Sequence, residues 1–155
     1  MLACQLMSQP VAFCYSSDNL EQAARLMWEA DCGALPVVDC AGRVVAMLTD
    51  RDICMAAYTQ GKPLREIPVN TAMSKSVQTC SAEDTLEDVE QQMMLHQIRR
   101  LPVLDREGQL LGVLSLNDLA RAANQQHPAA PDGSYEISLA TAAKTLAAVC
   151  HPRIH

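Results

Sequence analysis

Aromatic side chains are scarce in this chain of 155 residues, which contains one Trp, one Phe and three Tyr. Apolar residues nevertheless make up 49% of the chain. The core must therefore be aliphatic, built from Val, Leu, Ile, Met and Ala. A chain of this length forms either one domain of ordinary size or two small ones.

Long runs of basic or apolar residues are also absent. The net charge is −6 and no Lys/Arg run occurs, which argues against nucleic acid or an anionic membrane as a partner. No apolar stretch approaches the roughly 20 residues needed to cross a bilayer. The opening residues, MLACQLMSQP, have neither a basic leader nor a long apolar run, so we expect no signal peptide and a cytoplasmic protein.

Paired cysteines and grouped histidines are a third absence. The seven cysteines occur singly, which argues against a disulfide framework or a zinc cluster and favours small buried thiols in a reducing compartment. A nucleophilic cysteine would need a nearby base, but the four histidines are not grouped along the chain. The sequence therefore predicts no metal site and no enzyme activity. The residues concerned are Cys4, Cys14, Cys32, Cys40, Cys54, Cys80, Cys150, His96, His127, His151 and His155.

An internal repeat is the strongest feature that is present. Residues 7–57 align with residues 73–123 without a gap after a shift of 66 positions. LPVVDCAGRVVAMLTDRDI falls on LPVLDREGQLLGVLSLNDL, and MSQPVAFCYSSDNLEQ falls on MSKSVQTCSAEDTLED. Agreement of this kind indicates a duplicated unit, and we expect two similar halves related by a pseudo-two-fold axis.

Each copy of the repeat reads as β-α-β-β-α. Short β-rich runs, Val11–Cys14 and Val77–Cys80, come first, and the polar pairs Ser17-Asp18 and Glu83-Asp84 suit the start of a helix. After that helix come two apolar strands joined by a turn that contains Gly, and then a second helix. The predicted class is therefore α/β (α+β), with small sheets covered by helices. Apolar residues at helical spacing, interpreted as core, are Leu20, Ala23, Ala24, Met27 and Trp28, then Leu86, Val89, Met93 and Met94.

The predicted domains are a first repeat over residues 6–66, a second over 67–123, and a connector with a C-terminal amphipathic helix over 124–155. Gly61 and Pro68 break helices at the join between the repeats. The tail after the second repeat is short, so no attached effector domain is expected. The C-terminal helix should dock on its own domain or on a symmetry mate. Its apolar face is predicted to contain Leu139, Ala143, Leu146 and Ala147.

A hydroxyl residue followed three places later by an aspartate occurs at the same place in both copies, as Thr49 with Asp52 and Ser115 with Asp118. At a helix start this spacing forms a capping box, which stabilises the helix by about 1 kcal/mol. The same turn also suits a ligand, because free N–H groups and the positive helix end attract phosphate. The carboxylate then accepts both hydroxyls of a ribose. One copy alone favours the cap, whereas repetition at equivalent places favours a ligand site.

These motifs resemble the two repeats of a CBS-domain pair, also called a Bateman module. The doubled LPVVD…G…VVAMLTDRD and LPVLD…G…LLGVLSLND carry the likeness, which covers residues from about 6 to 123. The resemblance implies two clefts between the repeats, binding of adenosyl ligands such as AMP, ADP or ATP, and a homodimer formed through helices. It implies no obligatory cofactor, with Mg²⁺ accompanying ATP only.

The resemblance also implies roles for individual residues. Thr49 and Ser115 would bond phosphate, and Asp52 and Asp118 would hold ribose hydroxyls. The adenine would rest against apolar residues of the first strand of a repeat. Basic residues expected near phosphate are Arg51, Arg99 and Arg100.

The two copies differ at the expected sites. Gly112 in the second copy is Ala46 in the first, where the methyl group is expected to narrow the cleft. Arg99 and Arg100 are matched by Gly33 and an alanine, so positive charge is unequally distributed. Two unequal sites are therefore predicted.

Two hypotheses of function follow. The first is a nucleotide-sensing regulatory module without catalysis, which acts in trans on an unidentified protein. The alternative is a structural dimerisation module with vestigial clefts. A third class, an enzyme, lacks support from any grouped base and nucleophile.

Overall fold

The chain divides into two compact units in the computed structural model, which describes residues 1–124 and 139–150. Residues Val11–Val77 form one unit, here called the first-repeat unit. The other, the second-repeat unit, consists of Met1–Pro10 together with Gln78–His155. The N-terminal segment thus belongs to the unit that contains the second repeat. The repeat boundaries given above remain a prediction.

The first-repeat unit has the predicted order β-α-β-β-α. In its three-stranded sheet, β1 runs parallel to β2, and β3 runs antiparallel to β2. The first strand begins only at Cys14, the last residue of the run predicted for it. After the short helix α1 (Ala3–Leu6), which belongs to the other unit, the elements are β1 (Cys14–Tyr15), α2 (Leu20–Glu29), β2 (Ala34–Val38), β3 (Val44–Thr49) and α3 (Asp50–Gln60).

The second-repeat unit repeats this order and the strand register. Arg100 pairs with Ser115 as Ala34 pairs with Thr49, and each sheet has an irregularity before the last residue of its middle strand. The predicted α/β class and the β-α-β-β-α order are therefore confirmed in each unit. The elements are β4 (Cys80–Ser81), α4 (Leu86–His96), β5 (Arg100–Leu104), β6 (Leu110–Ser115), α5 (Leu116–Asn124) and the C-terminal α6 (Leu139–Val149).

The first helix of each repeat starts one residue later than its polar pair suggests. Asn19 and Thr85 are the N-cap residues of α2 and α4. Asp18 instead accepts a hydrogen bond from the Tyr15 N–H at 2.8 Å, and Asp84 accepts one from the Ser81 N–H at 2.9 Å. These aspartates close the turn after the strand, so their assignment as helix-opening residues was wrong.

The apolar stripe of α2 is only partly core. Leu20, Ala23 and Met27 are buried as predicted, but the Trp28 side chain is 88% exposed. Successive helical residues lie about 100° apart around the axis, so the residue after Met27 lies on the outer side of the helix. The interpretation of Trp28 as core was wrong.

Each unit completes its hydrophobic core with residues from a flanking segment. In the first-repeat unit, Ile67 and Val69 are fully buried among the side chains of the repeat. Two short 3-10 turns, Leu64–Glu66 and Val69–Thr71, carry this segment, and the Leu20 N–H donates to the Ile67 carbonyl at 2.9 Å. The small repeat thereby gains apolar burial that its own 50 or so residues supply poorly.

In the second-repeat unit the flanking contribution comes from both ends of the chain. Ala3 of α1 and Val149 of α6 are buried in its core cluster. Ser8 bridges to β6, since its N–H donates to the Val113 carbonyl at 2.9 Å. The second repeat is therefore covered by the N-terminal segment Met1–Pro10, which precedes the first-repeat unit.

Helix α6 packs on α4 and α5 of its own unit, as one of the two predicted modes of docking requires. Its buried residues are Thr145 and Val149, whereas Leu146 is about half exposed. The predicted apolar face was therefore wrong: Ala143, Leu146 and Ala147 are all exposed, and the side chain of Leu139 lies outside the described residues. The prediction failed because it assigned the buried face of the helix from apolar residues, whereas the polar residue Thr145 lies on that face.

All seven cysteines are free thiols, and their burial is uneven. Cys14 and Cys80, which occupy equivalent positions in the two copies, are buried, and Cys32 is half-buried. The other four, Cys4, Cys40, Cys54 and Cys150, are exposed. The expectation of buried thiols was therefore wrong for these four.

Candidate functional site

The joint between β3 and α3 places a hydroxyl and a carboxylate in one turn. Thr49 is extended, with φ −112° and ψ 161°, and is the N-cap of α3. Its Oγ1 accepts the Asp52 N–H at 3.1 Å, and Asp52 Oδ2 accepts both the Thr49 N–H at 2.9 Å and the Thr49 hydroxyl at 2.6 Å. The other oxygen, Asp52 Oδ1, has no hydrogen-bond partner in the described parts of the chain. The turn is a capping box with one carboxylate oxygen to spare.

The equivalent joint between β6 and α5 uses both oxygens of its carboxylate. Asp118 Oδ2 accepts the Ser115 N–H at 2.8 Å and the Ser115 hydroxyl at 2.5 Å. Asp118 Oδ1 accepts the Ser8 hydroxyl at 3.4 Å and an Arg121 guanidinium N–H at 2.5 Å. Asp118 is only 6% exposed. The two turns thus have the same capping hydrogen bonds, but they differ in the partners of the second carboxylate oxygen, Oδ1.

The same capping geometry occurs elsewhere in the chain. At the start of α4, Thr85 and Asp88 form the same three hydrogen bonds, with the Thr85 hydroxyl 2.6 Å from Asp88 Oδ2. At the start of α2, Asn19 and Gln22 cap each other in the same way. A hydroxyl and an aspartate three apart therefore do not identify a ligand site by themselves. What separates the Thr49 and Ser115 turns is their position after the last strand of each repeat.

The predicted basic residues lie close to these joints. Arg100 is the register partner of Ser115, and the Arg99 carbonyl accepts the Leu116 N–H at 3.0 Å. Arg51 is exposed in the first turn of α3. Within residues 1–124 and 139–150, none of these three arginines forms an ion pair. Each unit therefore has at least one arginine whose backbone lies at or next to the joint, and that arginine forms no ion pair within the described residues.

Two residues near Asp118 were not predicted from the sequence. Ser8 lies in the N-terminal segment, outside the first-repeat unit, and reaches Asp118 across 110 positions of the chain, so no local pattern indicates the contact. Arg121 lies three residues after Asp118 on α5, a spacing at which helical side chains meet. That spacing was readable in the sequence.

The buried thiols lack the character of nucleophiles. Burial, followed by the nearby Asp18 carboxylate, raises the pKa of Cys14 to about 12. Burial and the nearby Asp84 raise the pKa of Cys80 to about 12 in the same way. Both remain thiols at neutral pH, and a thiol is a poor nucleophile.

A surface pocket of about 440 Å³ lies between α2 and α3. Asp31 and Asp50 line it together with Trp28, and its lining contains no cationic side chain. Such a lining repels phosphate, so this pocket is not the site predicted from the repeated turn. Its remaining lining residues are Ala24, Met27, Cys32, Gly33 and Ile53.

Over residues 1–124 and 139–150, no three His, Cys, Asp or Glu side chains are grouped as metal ligands. No helix in those residues has both the length and the apolar character needed to cross a bilayer.

The sequence matches one family of known proteins along most of its length. The family model described as CBS domain matches residues 3–58 and 64–125. CBS domain-containing protein YhcV of Bacillus subtilis is 40% identical over 114 residues, which cover 74% of this chain and 79% of that protein. Hypoxic response protein 1 of Mycobacterium tuberculosis is 33% identical over 104 residues, which cover 67% of this chain and 72% of that protein.

Solved structures show the same architecture. CBSX2 in complex with AMP matches with a TM-score of 0.68 and 26% identity, covering 80% of this chain and 96% of that one. The CBS domain pair of protein MJ0100, in complex with 5'-methylthioadenosine and S-adenosyl-L-methionine, matches with a TM-score of 0.69 and 25% identity. That match covers 78% of this chain and 98% of the MJ0100 chain.

Proposed function

Because the chain belongs to the CBS-domain family, we propose that it is a nucleotide-binding regulatory module without catalytic activity. Its ligand is an adenosyl compound of the AMP, ADP or ATP type, and it acts in trans on another protein. Ligand binding would shift the population of two conformations by as much as the ligand's affinities for them differ. The observation that carries this proposal is the hydroxyl and carboxylate found after the last strand of both repeats, with Arg51 in the same turn of the first repeat and Arg100 as the register partner of Ser115 in the second.

Each group has a defined task in this proposal. Thr49 and Ser115 donate their hydroxyls to phosphate oxygens, and the first N–H groups of the following helix add to the attraction. Asp52 and Asp118 accept ribose hydroxyls. The three basic residues that supply positive charge near phosphate are Arg51, Arg99 and Arg100.

The capping hydrogen bonds set the energetic condition for binding. The Thr49 hydroxyl now donates to Asp52 Oδ2 at 2.6 Å, so it must rotate to donate to phosphate. Its oxygen can keep accepting the Asp52 N–H, because a hydroxyl oxygen has two lone pairs. Asp52 Oδ2 keeps the Thr49 N–H, and Oδ1 is available to the ribose. The Thr49 hydroxyl therefore exchanges its bond to Asp52 Oδ2 for a bond to phosphate. The two hydrogen bonds from backbone N–H groups that cap the helix are kept.

The proposed module has no obligatory cofactor, and Mg²⁺ accompanies the ligand only if that ligand is ATP. The protein acts as a homodimer in the cytoplasm, with neither nucleic acid nor membrane as a partner. The AMP bound to CBSX2 supports an adenine nucleotide as the ligand class.

A structural dimerisation module is the second candidate. Both repeated turns hold their hydroxyl and one carboxylate oxygen in their own hydrogen bonds, which is what a helix cap without a ligand requires. In the first-repeat unit, Trp28 and Tyr58 are more than 80% exposed, which suits a surface that meets a second copy. Under this alternative, no adenosyl compound binds.

Ligand binding tests the two candidates directly. The panel consists of AMP, ADP, ATP, S-adenosylmethionine and NADH, measured by thermal shift and by titration calorimetry. A ligand that binds only the folded protein raises the melting temperature with its concentration. We expect Asp52→Ala and Asp118→Ala each to weaken binding at its own site by about tenfold or more, because each removes a charged acceptor.

Asp88→Ala is the matched control. It removes the carboxylate from an identical capping box, so it lowers stability by about 1 kcal/mol as the site variants do, but it should leave binding unchanged. Equal weakening of binding by Asp88→Ala would mean that a lost cap is responsible. If no compound of the panel raises the melting temperature, the structural alternative holds.

A further inference from the structure

Asp118 is held by a cation of its own helix. An Arg121 guanidinium N–H lies 2.5 Å from Asp118 Oδ1, and the Ser8 hydroxyl lies 3.4 Å from the same atom. The Asp118 side chain is 7% exposed, whereas that of Arg121 is 69% exposed. The guanidinium thus covers the carboxylate from the solvent side and has room to leave it.

We propose that Arg121 is an intramolecular competitor for the ribose-binding carboxylate of the second repeat, which lowers the affinity of that site. This inference rests on the proposed function, since Asp118 must be a ribose acceptor. It adds Arg121 as a residue that sets the ligand affinity of the site in the second repeat.

The first repeat lacks both contacts at the equivalent place. The position that corresponds to Arg121 is occupied by Met55, which cannot bind a carboxylate. Ser74 corresponds to Ser8, but its hydroxyl accepts the Met47 N–H at 3.0 Å and donates to the Ser76 carbonyl at 2.8 Å. Asp52 Oδ1 is consequently without a partner among the described residues.

The competition follows from the strength of the hydrogen bonds. A guanidinium–carboxylate hydrogen bond is charge-assisted and stronger than the bond from a neutral ribose hydroxyl. An exposed arginine nevertheless holds its partner weakly, since water solvates the freed cation and surface ion pairs contribute little. Displacement of Arg121 should therefore cost the second site about two- to tenfold in affinity, which weakens binding without abolishing it.

A reciprocal exchange of the two side chains tests the inference. Arg121→Met is made in an Asp52→Ala background, where the first site is weakened and a change in affinity on adding Arg121→Met reports on the second. Met55→Arg is made in an Asp118→Ala background, where the second site is weakened and a change reports on the first. The probe is adenosine, measured by titration calorimetry beside AMP. Adenosine has no phosphate, so attraction between Arg121 and phosphate cannot mask the competition at the ribose.

We expect Arg121→Met to raise the affinity for adenosine about two- to tenfold and Met55→Arg to lower it by a similar factor. Arg106→Met is the control, because Arg106 pairs with Glu83 in the same unit and makes no contact with Asp118. It removes the same charge and should leave the affinity unchanged. Melting curves check that each variant is folded.

Three results would overturn the inference. Affinity for adenosine that is unchanged or lower in Arg121→Met shows that the arginine does not compete, and lower affinity makes it a ligand contact. An equal gain in Arg106→Met assigns the effect to net charge. A second site that binds no adenosine either before or after Arg121→Met also excludes competition. The proposed function is judged separately, by binding at Asp52 in the Asp118→Ala protein.

Discussion

At the scale of single residues, Glu90 is the most unusual side chain of the described structure. It lies on α4 and is 4% exposed, and its Oε1 has no hydrogen-bond partner among the described residues. Burial, followed by the nearby Glu87 carboxylate, raises its pKa, and a hydrogen bond with Thr145 of α6 opposes the rise. The folded protein therefore binds a proton at this carboxyl more tightly than the unfolded chain does.

This burial predicts a pH-dependent stability. Because the pKa of Glu90 is raised in the folded state, this residue favours folding at pH values below the ordinary pKa of a glutamate. That contribution to stability is lost as the pH rises through the raised pKa. Glu90→Met removes the unpaired oxygen and the charge at similar volume, so we expect it to raise the free energy of unfolding by about 1–3 kcal/mol at pH 7. The gain should shrink towards pH 4. Urea unfolding across this pH range measures it.

Glu29→Met is the comparison for this prediction. Glu29 is exposed at the end of α2, so the same substitution there should change stability by no more than about 0.5 kcal/mol. A Glu90→Met protein that is less stable than the wild type at pH 7 would mean that the carboxyl has an additional partner and is not an uncompensated buried acid.

At the scale of elements, the contact between the N-terminal segment and β6 explains why the two copies differ at one position. A Cβ on Gly112 would lie 2.8 Å from Met7 Sδ and 2.9 Å from the Ser8 carbonyl oxygen. In the first-repeat unit the position is Ala46, where the Ser74 hydroxyl stands between the segment and the Met47 N–H. The Met47 N–H thus donates to a side-chain oxygen, whereas the Val113 N–H donates to the Ser8 backbone carbonyl, the same oxygen that lies close to a Cβ at position 112.

We expect Gly112→Ala to lower the free energy of unfolding by about 1–3 kcal/mol, since the backbone at Ser8 must shift to admit the methyl group. Chemical denaturation measures the loss. In a Met7→Ala background, the same substitution should cost less, because the Met7 side chain makes two of the three close contacts. Equal costs in both backgrounds would show that the clash with Met7 is not the cause.

The elements were largely predictable from the sequence, whereas the contacts of the candidate site were only partly so. The 66-residue shift and the alternation of apolar runs predicted two β-α-β-β-α units, because periodicity and turn residues act locally. Trp28 was misplaced because it follows a core residue on the same helix. Ser8 was missed because its contact with Asp118 spans 110 positions, and only folding brings such residues together. The residues proposed to bind nucleotide remain a prediction.

At the scale of the whole molecule, the proposed dimerisation can be tested through large exposed side chains on α2 and α3. Trp28 on α2 and Tyr58 on α3 are large and exposed, and Trp28 is the chain's single tryptophan. If Trp28 meets a second copy, tryptophan emission should shift to shorter wavelength as protein concentration rises, because the indole leaves water.

We expect light scattering to give twice the mass of one chain for the wild type and the mass of one chain for Trp28→Asp, since a buried unpaired charge opposes association. Glu21→Lys changes an exposed charge on the same helix and should leave the mass unchanged. A wild-type protein with the mass of one chain at all concentrations contradicts the proposal, and so does a Trp28→Asp protein that keeps the doubled mass.

The hydroxyl of Ser8 touches the carboxylate that we assign to the second ribose. Removal of residues 1–8, for example to aid expression, therefore acts on a proposed ligand site formed by residues more than a hundred places downstream. A protein without residues 1–8 would report a different second dissociation constant from the 155-residue chain, even though it keeps every strand and helix of both repeats from β1 onward.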